Sequence, residues 1–320
     1  MVSFSPRDLK HQAKEHLNRF GSNARQLIFF HSGLTILLIL ISNGLNIYLD
    51  NQIDATGGLS GLGTRSILQT LQTMIQLGSA LFTPFWTAGL LNVAMNWAAG
   101  QPAHPKDLFH GFRRFFAVLG HQFHLTVMTF FFMTGTGYAA GFLFTLTPYS
   151  DPLVEIIQPM LTTGMMDFSN IPLDQLASAY LPFVLIWMFI FLPLIIYYRY
   201  SVRLGLYFLL TFPGMGVMRA MANSTVIMRG KKMQMFKLDL SFWWYYALEV
   251  LLMIVCFLDG ILPVFGITLP FNPLVGYFFF LGLYCVLQLL LHMWKKAEIQ
   301  TAYVLAYQHL SHPDHMDPPQ

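Results

Sequence analysis

Residues 273–294 read PLVGYFFFLGLYCVLQLLLHMW, and no Asp, Glu, Lys or Arg occurs anywhere between Asp259 and Lys295. A helix crosses the hydrocarbon layer of a bilayer in roughly 20 mainly apolar residues at about 1.5 Å each. This stretch supplies that length with Gln288 and His292 as its most polar side chains. Apolar and polar residues do not alternate along it, so it reads as a helix that satisfies its own backbone rather than as a barrel strand.

The pattern recurs along the chain. Charge-free runs also separate Arg25 from Asp50, Arg65 from Lys106, Arg114 from Asp151 and Asp174 from Arg199. Of the 320 residues 55% are hydrophobic and only 10% charged, against about a quarter charged in a soluble domain. The expected fold class is all-α: a polytopic transmembrane helical bundle of six spans, near residues 26–48, 67–99, 115–146, 177–199, 242–264 and 273–294. The second and third exceed the membrane thickness and must tilt, kink or run into the aqueous layer. Pro84 is the expected kink in the second, because its ring removes a donor and crowds the preceding turn. Glu249 and Asp259 make the fifth the least apolar.

Lysine and arginine orient the weave. Six spans put Arg7, Lys10, Lys14, Arg19 and Arg25 on the same side as Lys106, Arg113, Arg114, the basic loop from Arg199 to Lys237, and Lys295 with Lys296. The opposite loops hold Arg65 among Asp50, Asp54, Asp151, Glu155, Asp167 and Asp174. The positive-inside bias makes the basic side, with both termini, cytoplasmic. Tyr197, Tyr198, Tyr200 and Trp243 to Tyr246 read as an aromatic belt at that boundary. The polar start, MVSFSPRDLK, carries no cleavage signature, so no signal peptide is expected.

Three segments read as interfacial, and residues 1–310 as a single membrane domain. Within a cytoplasmic helix over residues 1–25, Leu9, Ala13, Leu17 and Phe20 form one apolar stripe opposite basic residues, as in a helix lying on the inner leaflet. Residues 215–229 repeat the idea with Val217, Met218, Met221 and Met228. The acidic, Pro-interrupted segment 151–176 is expected to cap the outer side, and residues 311–320 read as a disordered cytoplasmic tail. Cys256 and Cys285 lie inside apolar runs and read as free thiols. A weak internal similarity links AMNWAAGQPAHPKDLFHGFRRFFAVL, from residue 94, to AMANSTVIMRGKKMQMFKLDLSFWWYYAL, from residue 220.

The second of these stretches carries a specific pattern: Pro213, Ala220, Ser224, Met228, Arg229, Gly230, Phe236, Leu238, Leu240, Ser241, Phe242 and Trp244. In this it resembles the bacterial integral-membrane family known as domain of unknown function 975, and the closing TAYVLAYQHL is similar to that family's end. Trp243 and Pro270-Phe271 stand where the family pattern has Gly and Pro-Tyr. The resemblance implies a multi-pass protein of the bacterial cytoplasmic membrane and names no reaction. Physically, Gly230 can stop a short helix in a left-handed conformation, and Ser241 is placed to cap the helix that follows. Arg229, Lys231, Lys232 and Lys237 are the expected contacts to anionic lipid headgroups.

Ionisable residues within spans are functional candidates. His31, His121, His124, Glu249 and His292 all fall in the basic-side half of their spans. His121, His124, Glu249 and His292 read either as a ligand- or proton-binding cluster or as a satisfied buried network, and the second reading is preferred because buried polar groups must be paired in any case. No metal site and no cofactor are expected: neither cysteine has a metal-type neighbour and no tight ligand motif occurs. Span two carries Gln69, Gln72, Gln76, Thr83, Thr87, Asn92 and Asn96, fit either to line a solute path or to bond neighbouring helices. No H-E-x-x-H, G-x-S-x-G or Walker motif occurs, and no soluble basic domain offers nucleic-acid binding. The expectation is a non-enzymatic module that interacts with membrane lipids or a protein partner, a homo-oligomer among the options. The alternative is a small-solute or ion transporter component.

Overall fold

Where the sequence is apolar for long enough, the chain is helical. The computed structural model describes residues 4–55, 62–150, 173–262 and 273–311, and no strand occurs among them. In chain order the helices are α1 (Pro6–Ala55), α2 (Leu62–Ala98), α3 (His110–Arg113), α4 (Phe115–Thr145), α5 (Leu173–Val202), α6 (Gly205–Thr211), α7 (Val217–Ile227), α8 (Lys232–Ser241), α9 (Trp243–Cys256), α10 (Leu258–Ile261) and α11 (Pro273–Leu310). Five stretches are long and apolar enough to cross a membrane: Asn23–Asp50, Ser66–Ala98, Phe115–Thr145, Tyr180–Thr211 and Val275–Leu310. A sixth is added if α8 and α9, which meet at 61°, count as one bent span. The protein is thus an all-α, polytopic helical membrane protein. No more than 33% of the most apolar window of any of the five is buried, as expected of helices whose outer faces meet lipid.

Five expectations are corrected. The helix over residues 1–25 is not a separate element: α1 runs unbroken from Pro6 to Ala55. Of its stripe, Leu9 and Ala13 face protein, exposed by only 1% and 0%, while Leu17 and Phe20 are half-buried. The stripe of 215–229 is split, since Met221 and Met228 are buried while Met218 points outward. The expected span 242–264 is instead the 14-residue α9, a break at Phe257 and the short α10. Ser241 caps nothing: it is the last residue of α8, its hydroxyl donates back to the Leu238 carbonyl at 2.6 Å, and Phe242 takes the cap position of α9. The segment 151–172, Pro270-Phe271 and the tail 312–320 lie outside the described residues.

By their contacts the chain divides into two compact units, residues 1–119 with 204–320, and residues 120–203. In the first, α1 packs on both α2 and α11, and α9 packs on α11. At about 1.5 Å per residue the 50 residues of α1 span about 75 Å and the 38 of α11 about 57 Å, well beyond the roughly 30 Å of hydrocarbon. The surplus of α11 is core. Ile299, Ala302, Tyr303, Val304, Leu305, Ala306, Tyr307 and Leu310 are all buried. Tyr307 lies against Tyr207 and Phe208 of α6, and Tyr303 against Phe242. Tyr303 also donates to Asp239 Oδ1 at 2.5 Å and bonds Tyr246 at 2.6 Å. Leu9 and Ala13 of α1, Ala220 and Met221 of α7, and Met235 and Leu238 of α8 are further buried members of this unit. The Lys10 ammonium reaches the Ser241 carbonyl and lies 4.2 Å above the Phe242 ring. Burial, with Lys295 nearby, holds its pKa below the usual lysine range, while Glu298 opposes the shift.

The turn between α2 and α4 lies flush on α2. A Cβ on Gly89 would fall 1.6 Å from the Leu108 carbonyl oxygen, and one on Gly111 would fall 2.0 Å from that of Phe85. Only glycine permits so close a backbone approach. Both stretches of the weak internal similarity turn on a glycine of positive φ, Gly100 at 73° and Gly230 at 75°, and each then enters short helices that lead into a longer one. In the second unit α4 and α5 run antiparallel. Trp187 donates to Thr136 at 3.1 Å, Arg199 to Thr129 at 3.3 Å, and Phe183 lies edge-on to Phe144.

Candidate functional site

The first unit brings together ionisable groups from three helices. Glu249 lies two turns into α9, and its Oε1 is 3.3 Å from Nε2 of His292 on α11. The other ring nitrogen, Nδ1, is 3.0 Å from the Ser32 hydroxyl of α1 and 3.4 Å from the Lys296 ammonium one turn along α11. A lysine ammonium can only donate, so Nδ1 accepts and the ring proton sits on Nε2, directed at the Glu249 carboxylate. Tyr245, one turn before Glu249, also bonds that carboxylate. The sequence of contacts Lys296, His292, Glu249 thus runs from cation to anion through a neutral imidazole, and its formal charges cancel.

Beside it lies His31, buried, with neither ring nitrogen bonded. Its ring stacks on Trp86 of α2 at 5.1 Å, and the Trp86 indole donates to the His31 carbonyl at 3.1 Å. The stacking holds the imidazole as an aromatic plate. His121 and His124 belong to the second unit, where His124 faces Tyr198 at 6.4 Å between ring centres. The sequence-derived set therefore divides: Glu249 and His292 are in contact, while the other two sit in a unit of their own. Lys296, Tyr245 and Ser32 were missed, although Lys296 follows His292 by four and Tyr245 precedes Glu249 by four, the spacing at which helical side chains meet. Among the described residues no group of three or more His, Cys, Asp or Glu could hold a metal ion. Cys256 and Cys285 are free thiols.

The second feature is the basic helix pair α7–α8. Gly230 takes the left-handed conformation expected of it, φ 75°, between the two helices. Arg229 and Lys237 are exposed, while Lys231 and Lys232 are half-buried. Helix α8 is apolar on two faces. Met235 and Leu238 are sealed inward, while Met233, Phe236 and Leu240 are exposed in a row, and Trp243 at the start of α9 is exposed as well.

A third feature is a groove of about 470 Å³ where α1 passes from the basic end into its span. Asn23, Arg25 and Gln26 form its polar end, and Leu27, Phe29, Phe30, Pro105 and Met293 the rest. On α1, polarity falls along the helix over about two turns, the order in which an amphiphile passes from headgroup to chain.

At the start of α3, His110 sits between charged neighbours. Partial burial, then Arg114 and Arg113, push its pKa below the ordinary histidine value, against the pull of Asp107. In the same turn Asp107 accepts from the His104 backbone at 2.8 Å and from Asn96 at 3.3 Å.

Comparison of the chain with protein-family models, with curated proteins and with solved structures finds no match in any of the three.

Proposed function

We propose that the protein is a non-enzymatic, lipid-interacting membrane module that holds α7–α8 against anionic headgroups at the inner face of a bacterial cytoplasmic membrane, with both termini on that side. The observation that carries this reading is the outward ridge Met233, Phe236 and Leu240 of α8, with the exposed cations Arg229 and Lys237 in the same helix pair. A surface helix needs one apolar face for its core. A second apolar face bordered by cations matches a helix lying in the headgroup layer. The 61° bend into α9 agrees, since it turns α8 away from the direction of the helix that follows. The basic-side bias, the groove at Arg25 and the resemblance to domain of unknown function 975 all support the same setting.

Each cation near an anionic surface contributes about 1 kcal/mol, so two contribute tenfold or more in lipid preference, at about 1.4 kcal/mol per decade. The test is native mass spectrometry of lipids retained after extraction from mixed phosphatidylglycerol and phosphatidylethanolamine membranes. Arg229→Gln with Lys237→Gln is expected to erase most of the preference for the anionic lipid. Undiminished selectivity in a folded variant refutes the proposal.

A transporter component is the alternative, and one observation favours it: the Glu249 side chain stays 35% exposed while its partner His292 is sealed at 5%. Solute or proton flux into reconstituted vesicles that Glu249→Gln abolishes would select that reading.

A further inference from the structure

The exposed surface of α2 divides by chemistry. At 100° per residue, the side turned to α1 carries Gln72 and Ser79, which donate to Asp50 at 3.0 Å and Ser42 at 3.4 Å. One exposed flank holds Ile67, Leu71, Met74, Leu77 and Leu81, ordinary side chains for lipid. The other holds Gln69, Thr73, Gln76, Ala80, Thr83 and Thr87, and all six are exposed.

These six follow one another at intervals of 4, 3, 4, 3 and 4 residues, the heptad spacing that keeps a seam aligned with a second helix crossing at about 20°. From first to last they cover about 27 Å at 1.5 Å per residue, close to the roughly 30 Å of hydrocarbon. The threonines are locally satisfied: Thr73, Thr83 and Thr87 each bond the carbonyl four residues back at 2.9 to 3.0 Å. The side-chain amides of Gln69 and Gln76 have no hydrogen-bond partner among the described residues. An amide facing lipid without a partner is strongly disfavoured. Protein packed on this flank at the depth of Gln76 would supply the missing partner.

We propose that the cover is the same flank of a second copy, so that the protein is a homodimer joined along α2. Gln26, Gln69 and Gln308 lie in the terminal turns of their spans, and Gln76 is the one exposed Asn or Gln of an interior turn in the described spans. A second copy places its own Gln76 at the same depth. A carboxamide donates and accepts, so it is complementary to itself across a two-fold axis. Ala80 at the middle of the seam lets two backbones approach closely.

The test uses the full-length chain with Cys256→Ser and Cys285→Ser, and one new cysteine at a time. Oxidation in native membranes should join two chains at Gln76→Cys and Ala80→Cys but not at Met74→Cys or Leu81→Cys. Independently, Gln69→Leu with Gln76→Leu should weaken dimerisation about tenfold, from the typical strength of interhelical hydrogen bonds in membranes, read by subunit-counting photobleaching in lipid nanodiscs. The leucines face outward, so the thermal unfolding of each chain should be preserved. A native chain that is monomeric in nanodiscs overturns the proposal. So do cross-links that form equally at Met74→Cys, or that join Gln76→Cys only to another segment of its own chain.

Discussion

Replacing Gly89 by alanine tests the packing of the α2–α4 turn, because two effects of opposite sign compete there. On helix propensity alone, Gly→Ala in a helix interior stabilises by up to about 1 kcal/mol. Here the added carbon would lie 1.6 Å from the Leu108 carbonyl oxygen and 2.5 Å from its carbon, both backbone atoms that no rotamer can move. The 105–113 segment must lift from α2 by well over an ångström. Leu108, fully buried, is then partly uncovered, at a cost of about 1 kcal/mol for half its side chain. Three ring pairs loosen with it: Phe109 on Trp86 at 5.4 Å, Phe112 on Phe85 at 5.2 Å and Phe112 on Phe82 at 5.3 Å. Each contributes about 0.5–1.5 kcal/mol. After the propensity gain, the net loss should be about 2–4 kcal/mol. Gly78, on the same helix, is the control, since a Cβ there meets nothing within 4 Å; Gly78→Ala should be neutral or stabilising by up to about 1 kcal/mol. Thermal and denaturant unfolding in micelles, followed by tryptophan fluorescence, measures both. A Gly89→Ala protein as stable as Gly78→Ala would refute the close-approach argument.

Glu249→Gln removes the counter-charge of a half-buried lysine, and the same unfolding assay should show a loss of about 1–3 kcal/mol, below the fully buried case because Glu249 is partly exposed. Adding Lys296→Met should recover at least half of that loss; a double variant no better than the single one would mean that the charges do not interact. His110 gives a pH dependence. Its folded pKa is lower than its unfolded value of about 6.5, so the unfolded chain binds more protons as pH falls. Stability should therefore be full above that value and decline as pH drops below it toward the folded pKa. His110→Gln should flatten the midpoint temperature between pH 7 and 5, and an unchanged slope would remove the residue from the account.

The spans were legible because a charge-free run of lipid length has few other uses, and Gly230 was legible because glycine alone adopts a left-handed turn freely. The partner of an amphipathic stripe was not. Leu9 and Ala13 look the same in sequence whether lipid or protein covers them, and here they are buried within the protein. The continuity of α1 was hidden for a related reason: Gly21 lowers helix propensity without stopping a helix, so a change in polarity near Arg25 was read as a boundary. The bend at Phe242 has neither glycine nor proline to announce it. Of the four residues that depth grouped as a candidate site, the structure joins Glu249 to His292. Depth alone could not assign the two histidines of α4 to a different unit.

The buried cluster lies where α11 changes surroundings, and that explains its composition. Up to about Leu290 the helix shows an exposed apolar face; from Ile299 to Leu310 most of its residues are packed against protein. Between these lies one stretch carrying His292, Lys295, Lys296 and Glu298. An ionisable side chain in the lipid-facing part would be unpaired, and one in the packed part would displace Ala302 or Ala306, for which there is no room. At the junction each finds a partner: His292 with Glu249 and Ser32, Lys295 with Glu298 at 2.7 Å. Ser32 and Glu249 come from α1 and α9, so this boundary also fixes how those helices register against α11. On this argument the polar cluster is a consequence of one long helix serving two environments, and it sets the depth at which α1, α9 and α11 pack together.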